Sequence, residues 1–215
     1  MSTSSLPSIN NHPRVDINQL IEKQEVVLLE NFYSDLDWLN NEEVVRFPKL
    51  SKSEQVIHLA SSHRLNLQQQ ASKLFPEMYY PTDAGWIRSN IYNKNERPLA
   101  THLHSDNPYI VLAVCLSSPK TNPNTNSFGT EFYKHRDLGF KKVFAHPHAE
   151  QFNKAFMAHK HDEQKWEAWF TYPFKENTAI IYDGSLLHKM PWPLFDDAAD
   201  SARLLQVFNF RIKKK

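Results

Sequence analysis

From Trp86 to its end the chain is a succession of short apolar runs separated by Asn, Pro, Ser and Gly, and that rhythm constrains the fold more than any other feature. Trp86–Tyr92 reads as a half-buried strand and Leu99–Asp106 as a second. Tyr109–Leu116 is a continuous apolar run, suited to a strand covered on both faces. A loop rich in Asn, Pro and Ser over 117–128 precedes a further strand at Gly129–His135. A helix is expected from about Pro147 through Trp169, followed by strands at Asn177–Asp183 and Arg203–Ile212. Many short strands with one inserted helix predict a mostly β chain of the α+β type, an antiparallel sandwich or jelly roll with flanking helices.

The first third is mixed. Glu25–Phe32 is a β-branched, apolar run that predicts a strand. Ser34 or Asp35 is placed to cap a helix carrying Leu36, Trp38, Leu39 and Val44. Residues 51–75 set Val56, Leu59, Ala60, Leu67 and Leu74 among polar residues, with Pro76 as a stop, and predict one or two amphipathic helices. Residues 1–14 are rich in Ser, Asn and Pro without apolar periodicity and read as a flexible tail. The remainder, 15–215, shows no repeat or domain-scale linker and reads as one domain with its core at about 86–212.

Composition narrows the function. Lys and Arg total 25 against 24 Asp and Glu, a formal charge of +1, so no net field gathers nucleic acid or an anionic membrane; neither is expected as a partner. A single cysteine, Cys115, excludes an internal disulfide and a Cys-based zinc knuckle; it sits in an apolar run and reads as a small buried hydrophobe. No apolar run approaches about 18 residues and the N-terminus lacks a basic start with an apolar block, so neither a spanning helix nor a secretory signal is expected. Together these point to a cytoplasmic location. The 4 glycines fit neither GxGxxG nor GxxxxGK[ST], so nucleotide-dependent phosphoryl transfer is not expected.

Histidine, with 11 copies, is where the chemistry concentrates. In Thr101-His102-Leu103-His104-Ser105-Asp106, residues two apart on an extended segment project to one side, so His104 and Asp106 can hold one ion together. Far downstream, His188 follows a strand and the turn Asp183-Gly184-Ser185 and can supply a third ligand. Two neutral imidazoles and one carboxylate leave the opposite coordination positions open, the donor set suited to non-haem Fe(II).

These elements, in order, resemble the Fe(II)/2-oxoglutarate-dependent oxygenases, especially their prolyl-hydroxylase-like branch and related small bacterial oxygenases. The matching pieces are Ile91-Tyr92, His104-Ser105-Asp106, the apolar strand, Gly129–Tyr133, Asp183–His188 and Arg203–Phe210, spanning roughly residues 86–212. The resemblance implies a double-stranded β-helix, the jelly roll also found in cupins, with His104, Asp106 and His188 as metal ligands and catalytic centre. It implies Fe(II) as cofactor, 2-oxoglutarate and dioxygen as co-substrates, and a small-molecule or peptide substrate. It also implies a basic residue on the strand after the distal histidine to grip the far carboxylate of 2-oxoglutarate. Arg203 stands there, and its planar fork suits the task, with Arg211 and Lys189 as alternatives. Tyr92 looks like the tyrosine whose hydroxyl assists the same carboxylate. Because Asp106 is retained where halogenating members lack a carboxylate, the implied reaction is hydroxylation. The alternative from another class is a cupin-like protein that binds a metal or ligand without oxygenase activity, as a hydrolase, an isomerase or a silent scaffold.

Other residues read as ordinary structure. His102 is expected beside the ligands or at the surface. The pairs His146/His148 and His159/His161 are expected to be solvated, and Arg211–Lys215 reads as a solvated basic end. Trp86, Arg88, Trp166, Trp169 and Trp192 are candidates to line a substrate pocket.

Overall fold

The apolar run at 109–116 forms a strand, Ile110–Ser117, whose faces enter two different hydrophobic cores. Ile110, Leu112, Val114 and Leu116 lie in one and Val111 and Ala113 in the other, as the two-residue period of a strand requires. The computed structural model describes residues 6–40, 45–46, 54–59, 61–79, 86–90, 103–106, 109–117, 129–142, 149–173, 175–190 and 203–212. Its strands in chain order are β1 (Val26–Leu29), β2 (Val45–Arg46), β3 (Glu54–Leu59), β4 (Met78–Tyr79), β5 (Trp86–Asn90), β6 (Ile110–Ser117), β7 (Gly129–His135), β8 (Trp166–Pro173), β9 (Thr178–Asp183), β10 (His188–Lys189) and β11 (Arg203–Ile212). Its α-helices are α1 (Ile17–Lys23), α2 (Ser61–Ala71) and α3 (Ala149–His159).

The larger sheet runs β1-β9-β6-β11-β5-β3-β2, with β4 paired to β11, and the smaller one runs β10-β7-β8. All these pairings are antiparallel. Ile17 and Leu20 of α1 and Leu67 and Ala71 of α2 cover one face of the large sheet. Its other face meets the small sheet, where Val111, Ala113, Ile180 and Tyr182 pack with Phe132 and Tyr172. The outer face of the small sheet is roofed by Phe152, Ala155 and Phe156 of α3 against Phe140, Trp166 and Leu187. Each fully buried large side chain stabilises by about 1.5–3 kcal/mol. Burial on both faces of β6 and β9 is therefore what fixes the two sheets in register.

The strands read at Gly129–His135 and Arg203–Ile212 have those bounds, and those read at 25–32, 109–116 and 177–183 shift by a few residues at most. Four expectations are corrected. The helix predicted over 147–169 ends at His159, and Trp166–Pro173 is a strand, because its aromatic-rich run pairs with β7. Of the helices predicted over 51–75, Glu54–Leu59 is instead β3, recruited by β5, and only 61–71 is α-helical. The helix expected after Asp35 is a short 3-10 turn, Asp37–Asn40. Part of the tail read at 1–14 is docked: Asn10 N–H donates to Phe32 C=O, Ser34 N–H to Ser8 C=O, and Ile9 N–H to the Gln70 side chain. Leu99–Thr101 and Ile91–Tyr92 lie outside the described residues.

His135, at the end of β7, is 1% exposed and stacks on Phe140. Its Nδ1 accepts the Leu138 N–H, so its proton sits on Nε2 and is donated to Nδ1 of His159, 2.9 Å away. His159 is thus bonded to a buried partner and is not the solvated residue expected. Burial, then the neighbouring His159, hold the His135 pKa below its ordinary 6.5; Asp137 opposes this and Lys165 reinforces it. The folded state resists a proton that the unfolded chain accepts. Stability from this group is therefore present above about pH 6.5 and lost as the pH falls through the folded-state value. Urea midpoints measured from pH 7.5 to 5 should fall in that window, and His135→Phe should flatten this part of the slope; an unchanged slope in the variant would exclude His135 as its source.

Candidate metal centre

β10 opens with His188 opposite Phe132 of β7, and His104 joins the free edge of β10 through an antiparallel bridge. The N–H of each histidine donates to the carbonyl of the other at 3.0 Å. This reciprocal pair fixes the imidazoles side by side, with ring centroids 4.4 Å apart. Two residues on, Asp106 turns its carboxylate to the same place, Oδ2 lying 3.4 Å from His188 Nε2. His104, Asp106 and His188 offer one ligand atom each, all within 4.8 Å of one another, the one such cluster among the described residues. Metal bonds of about 2.0–2.2 Å place two donors at most about 4.4 Å apart, so closing on an ion requires only small side-chain adjustments.

The backbone holds Asp106 through the turn after β9. Its N–H donates to Gly184 C=O at 2.6 Å, Tyr109 N–H donates to Asp106 C=O, and Gly184 N–H donates to Tyr109 C=O. A side chain at 184 has no room, since a Cβ there would stand 2.7 Å from the Tyr109 carbonyl oxygen and 2.9 Å from that of Asp106. Gly184→Ala should therefore push the Asp106 segment away from the two histidines. The expected result is roughly 10–100-fold weaker binding of a divalent transition metal, the scale seen when a ligand loses its supporting contacts. A competition titration measures it, and unaltered affinity would show that this latch does not position Asp106.

His188 is 4% exposed, and its Nδ1 lies 2.9 Å from the Leu186 carbonyl oxygen. That carbonyl can only accept, so Nδ1 carries a proton and Nε2 is the ring atom turned toward Asp106. Nε2 and Asp106 Oδ2 stand 3.4 Å apart, close enough to share a proton or to bind one metal ion between them. The inner wall is aromatic: Phe132 lies 5.9 Å from the His188 ring, and Tyr182 packs edge-on with its hydroxyl 3.3 Å from Nε2. Asp106, by contrast, is 38% exposed at its side chain, so the cluster opens to solvent on the carboxylate side. The donor types, the fixed tautomer and the one-sided opening fit a ferrous ion with positions left for other ligands.

The remaining candidates separate. Arg203 opens β11, but its side chain and the whole of Tyr92 lie outside the described residues, as do His102, Trp192, His146, His148 and the side chains of Trp86 and Arg88. Lys189, one residue past His188, takes the opposite face of β10: its ammonium sits over the Tyr133 ring and 3.9 Å from Glu163, which removes it as an anchor inside the sheets. Arg211 lies over Tyr109 and donates to its hydroxyl at 2.7 Å. Trp166 belongs to the outer core under α3, whereas Trp169 packs toward Phe132. Cys115 is buried, as read. Sequence reasoning did not single out Tyr182, Tyr109 or the Leu186 carbonyl, because their roles depend on which strands become neighbours. The Gly184 turn alone carried a local signal.

No helix among the described residues is long and apolar enough to cross a membrane. No family model matches the sequence, and no curated protein matches it. Solved structures do show likeness. The ribosomal oxygenase YcfD of Escherichia coli is 9% identical, with a TM-score of 0.43, over 98% of this chain and 54% of that one. A second structure of E. coli YcfD gives 9% identity and a TM-score of 0.40, over 98% and 55%. This chain therefore spans only about half the length of YcfD. EvdO2 from Micromonospora carbonacea var. aurantiaca, complexed with 2-oxoglutarate, is 12% identical with a TM-score of 0.44, over 97% of this chain and 94% of that one.

Proposed function

We propose that this protein is an Fe(II)/2-oxoglutarate-dependent oxygenase that hydroxylates a C–H bond of an amino acid, a peptide or protein side chain, or a small metabolite. The observation that carries the reading is the convergence of His104, Asp106 and His188, with His188 locked in the tautomer that offers Nε2. The sheet connectivity supports a double-stranded β-helix, since the chain passes from large sheet to small and back between β6, β7, β8 and β9.

In this reading the three side chains hold Fe(II), which with 2-oxoglutarate and dioxygen supplies the oxidising power, succinate and carbon dioxide being the co-products. The Leu186 carbonyl keeps the His188 proton on Nδ1, and the Gly184 latch keeps Asp106 in reach. Phe132 and Tyr182 close the inner side of the cluster against water. Arg203 is assigned the distal carboxylate of 2-oxoglutarate, with Arg211 as the alternative cation and Tyr92 as a supporting hydroxyl.

Anaerobic titration of the Fe(II)-loaded protein with 2-oxoglutarate tests this. A visible metal-to-ligand charge-transfer band should grow to a one-to-one end point, and oxygen should then yield succinate. Iron binding without that band would favour a cupin-like metal protein of other chemistry.

A further inference from the structure

Strand β9 alternates between the two cores. Ala179 and Ile181 enter one, and Ile180 and Tyr182 enter the other, between the sheets. Tyr182 is the last inward residue of β9 before the Gly184 turn, beyond which His188 follows. It is 4% exposed, and Phe132 packs edge-on against its ring with centroids 5.0 Å apart. His188 meets the ring edge-on as well, at 5.1 Å. These contacts, with the pairing of residue 182 to Val26 and Val111, fix where the phenol oxygen stands. Only the direction of its O–H bond is left to rotate.

That oxygen lies 3.3 Å from His188 Nε2, the same atom that stands 3.4 Å from Asp106 Oδ2. Two oxygens therefore flank one ring nitrogen. Adjacent donors on a single divalent ion, each bonded at about 2.0–2.2 Å, lie about 3 Å apart, so a small ligand seated on the ion beside His188 enters the neighbourhood of the phenol. Any hydrogen shared between the phenol and Nε2 in the metal-free chain loses its place once an ion takes the Nε2 lone pair. A phenol that keeps its proton is a hydrogen-bond donor, and it stands outside the usual imidazole and carboxylate donors to such an ion.

We propose that Tyr182 orients the acid that binds at the metal centre: with an ion on His104, Asp106 and His188, its hydroxyl donates to a carboxylate oxygen held by that ion beside His188. The inference rests on reading the cluster as a metal centre and on no particular reaction. The class of ligand is a small organic acid that reaches the ion through oxygen. The apolar side chains of Val111, Ile180 and Phe132 around the phenol strengthen this one bond, since the low local dielectric weakens it less than water does.

The test uses the full chain loaded with Co(II), as wild type and Tyr182→Phe. Phenylalanine keeps the ring between Phe132 and His188, so the thermal midpoint should change little. Each protein is titrated with Co(II) and then, once saturated, with sodium acetate, following the visible absorption of the metal. Acetate has no second arm, so the titration reads the bond made at the ion and no remote anchor. Tyr182→Phe should bind Co(II) within about threefold of wild type and acetate about tenfold more weakly, the loss of one hydrogen bond to a charged acceptor. The two Co(II) spectra should coincide before acetate is added and differ once it is bound.

Equal acetate affinity in the two proteins, or no saturable acetate response in wild type, overturns the proposal and leaves the metal centre standing. An equal loss of Co(II) and acetate binding makes Tyr182 a packing residue only and overturns it as well. Spectra that already differ before acetate is added make the phenol a direct ligand, with the same consequence. Failure of wild type to take up Co(II) removes the metal centre and the proposal together. Anaerobic Fe(II) protein titrated with 2-oxoglutarate in parallel reports on the oxygenase reading alone: a missing charge-transfer band beside a clear acetate effect removes that reading and keeps the role of Tyr182.

Discussion

His188→Ala should abolish succinate formation and weaken binding of a divalent transition metal by more than about 100-fold. Disturbing only the outer hydrogen bond of a ligating histidine costs roughly 10–100-fold, so removing the ligand itself must cost more. The change takes away the Nε2 that faces Asp106 at 3.4 Å and leaves His104 and Asp106 as a two-donor site. The fold should survive, because the reciprocal bonds between residues 104 and 188 and the pairing of 188 with Phe132 are made by backbone atoms. Metal affinity by competition titration, succinate production and the thermal midpoint should be measured on one preparation. Turnover at the wild-type rate in a folded His188→Ala protein would remove the whole assignment.

Lys142→Met should be among the most destabilising single changes, at roughly 3–5 kcal/mol. Lys142 lies 2.5 Å from Asp183, both side chains being about nine-tenths buried, and its ammonium also donates to the Ile21 carbonyl at the end of α1. Methionine fills the space but leaves the Asp183 carboxylate buried without its cation, and that uncompensated charge is the main cost. In a chain of this size the loss corresponds to a fall of roughly 6–20 °C in the thermal midpoint. Asp183 also accepts the Ser185 N–H at 2.9 Å within the turn that carries Gly184, so metal affinity should decline as well. Lys142→Met combined with Asp183→Asn should recover part of the stability, since the second change removes the stranded charge. A double variant as unstable as the sum of the singles would show that the pair is not coupled.

The places where sequence and structure part company share one cause. Gly129–His135 and Arg203–Ile212 announced themselves because their alternation is local and their bounding residues are turn formers. Trp166–Pro173 was hidden behind α3: an aromatic run following a helical pattern is compatible with either state, and pairing with β7 decided for strand. Glu54–Leu59 was likewise settled by an open edge on β5. His159 looked like a solvated helix residue until the end of β7 delivered His135 to it.

For the candidate site, the sequence determined the donor types and one piece of geometry, because His104 and Asp106 are two residues apart and the pleat turns such neighbours to one side. It also placed His188 after a turn that has to be tight. Everything that joins these parts belongs to the tertiary structure: the His104–His188 bridge, the Gly184 latch on Asp106, and the Leu186 carbonyl that holds His188 Nδ1. The division is physical. Local spacing fixes which way a side chain can point, whereas hydrogen bonds between strands remote in sequence fix what it meets.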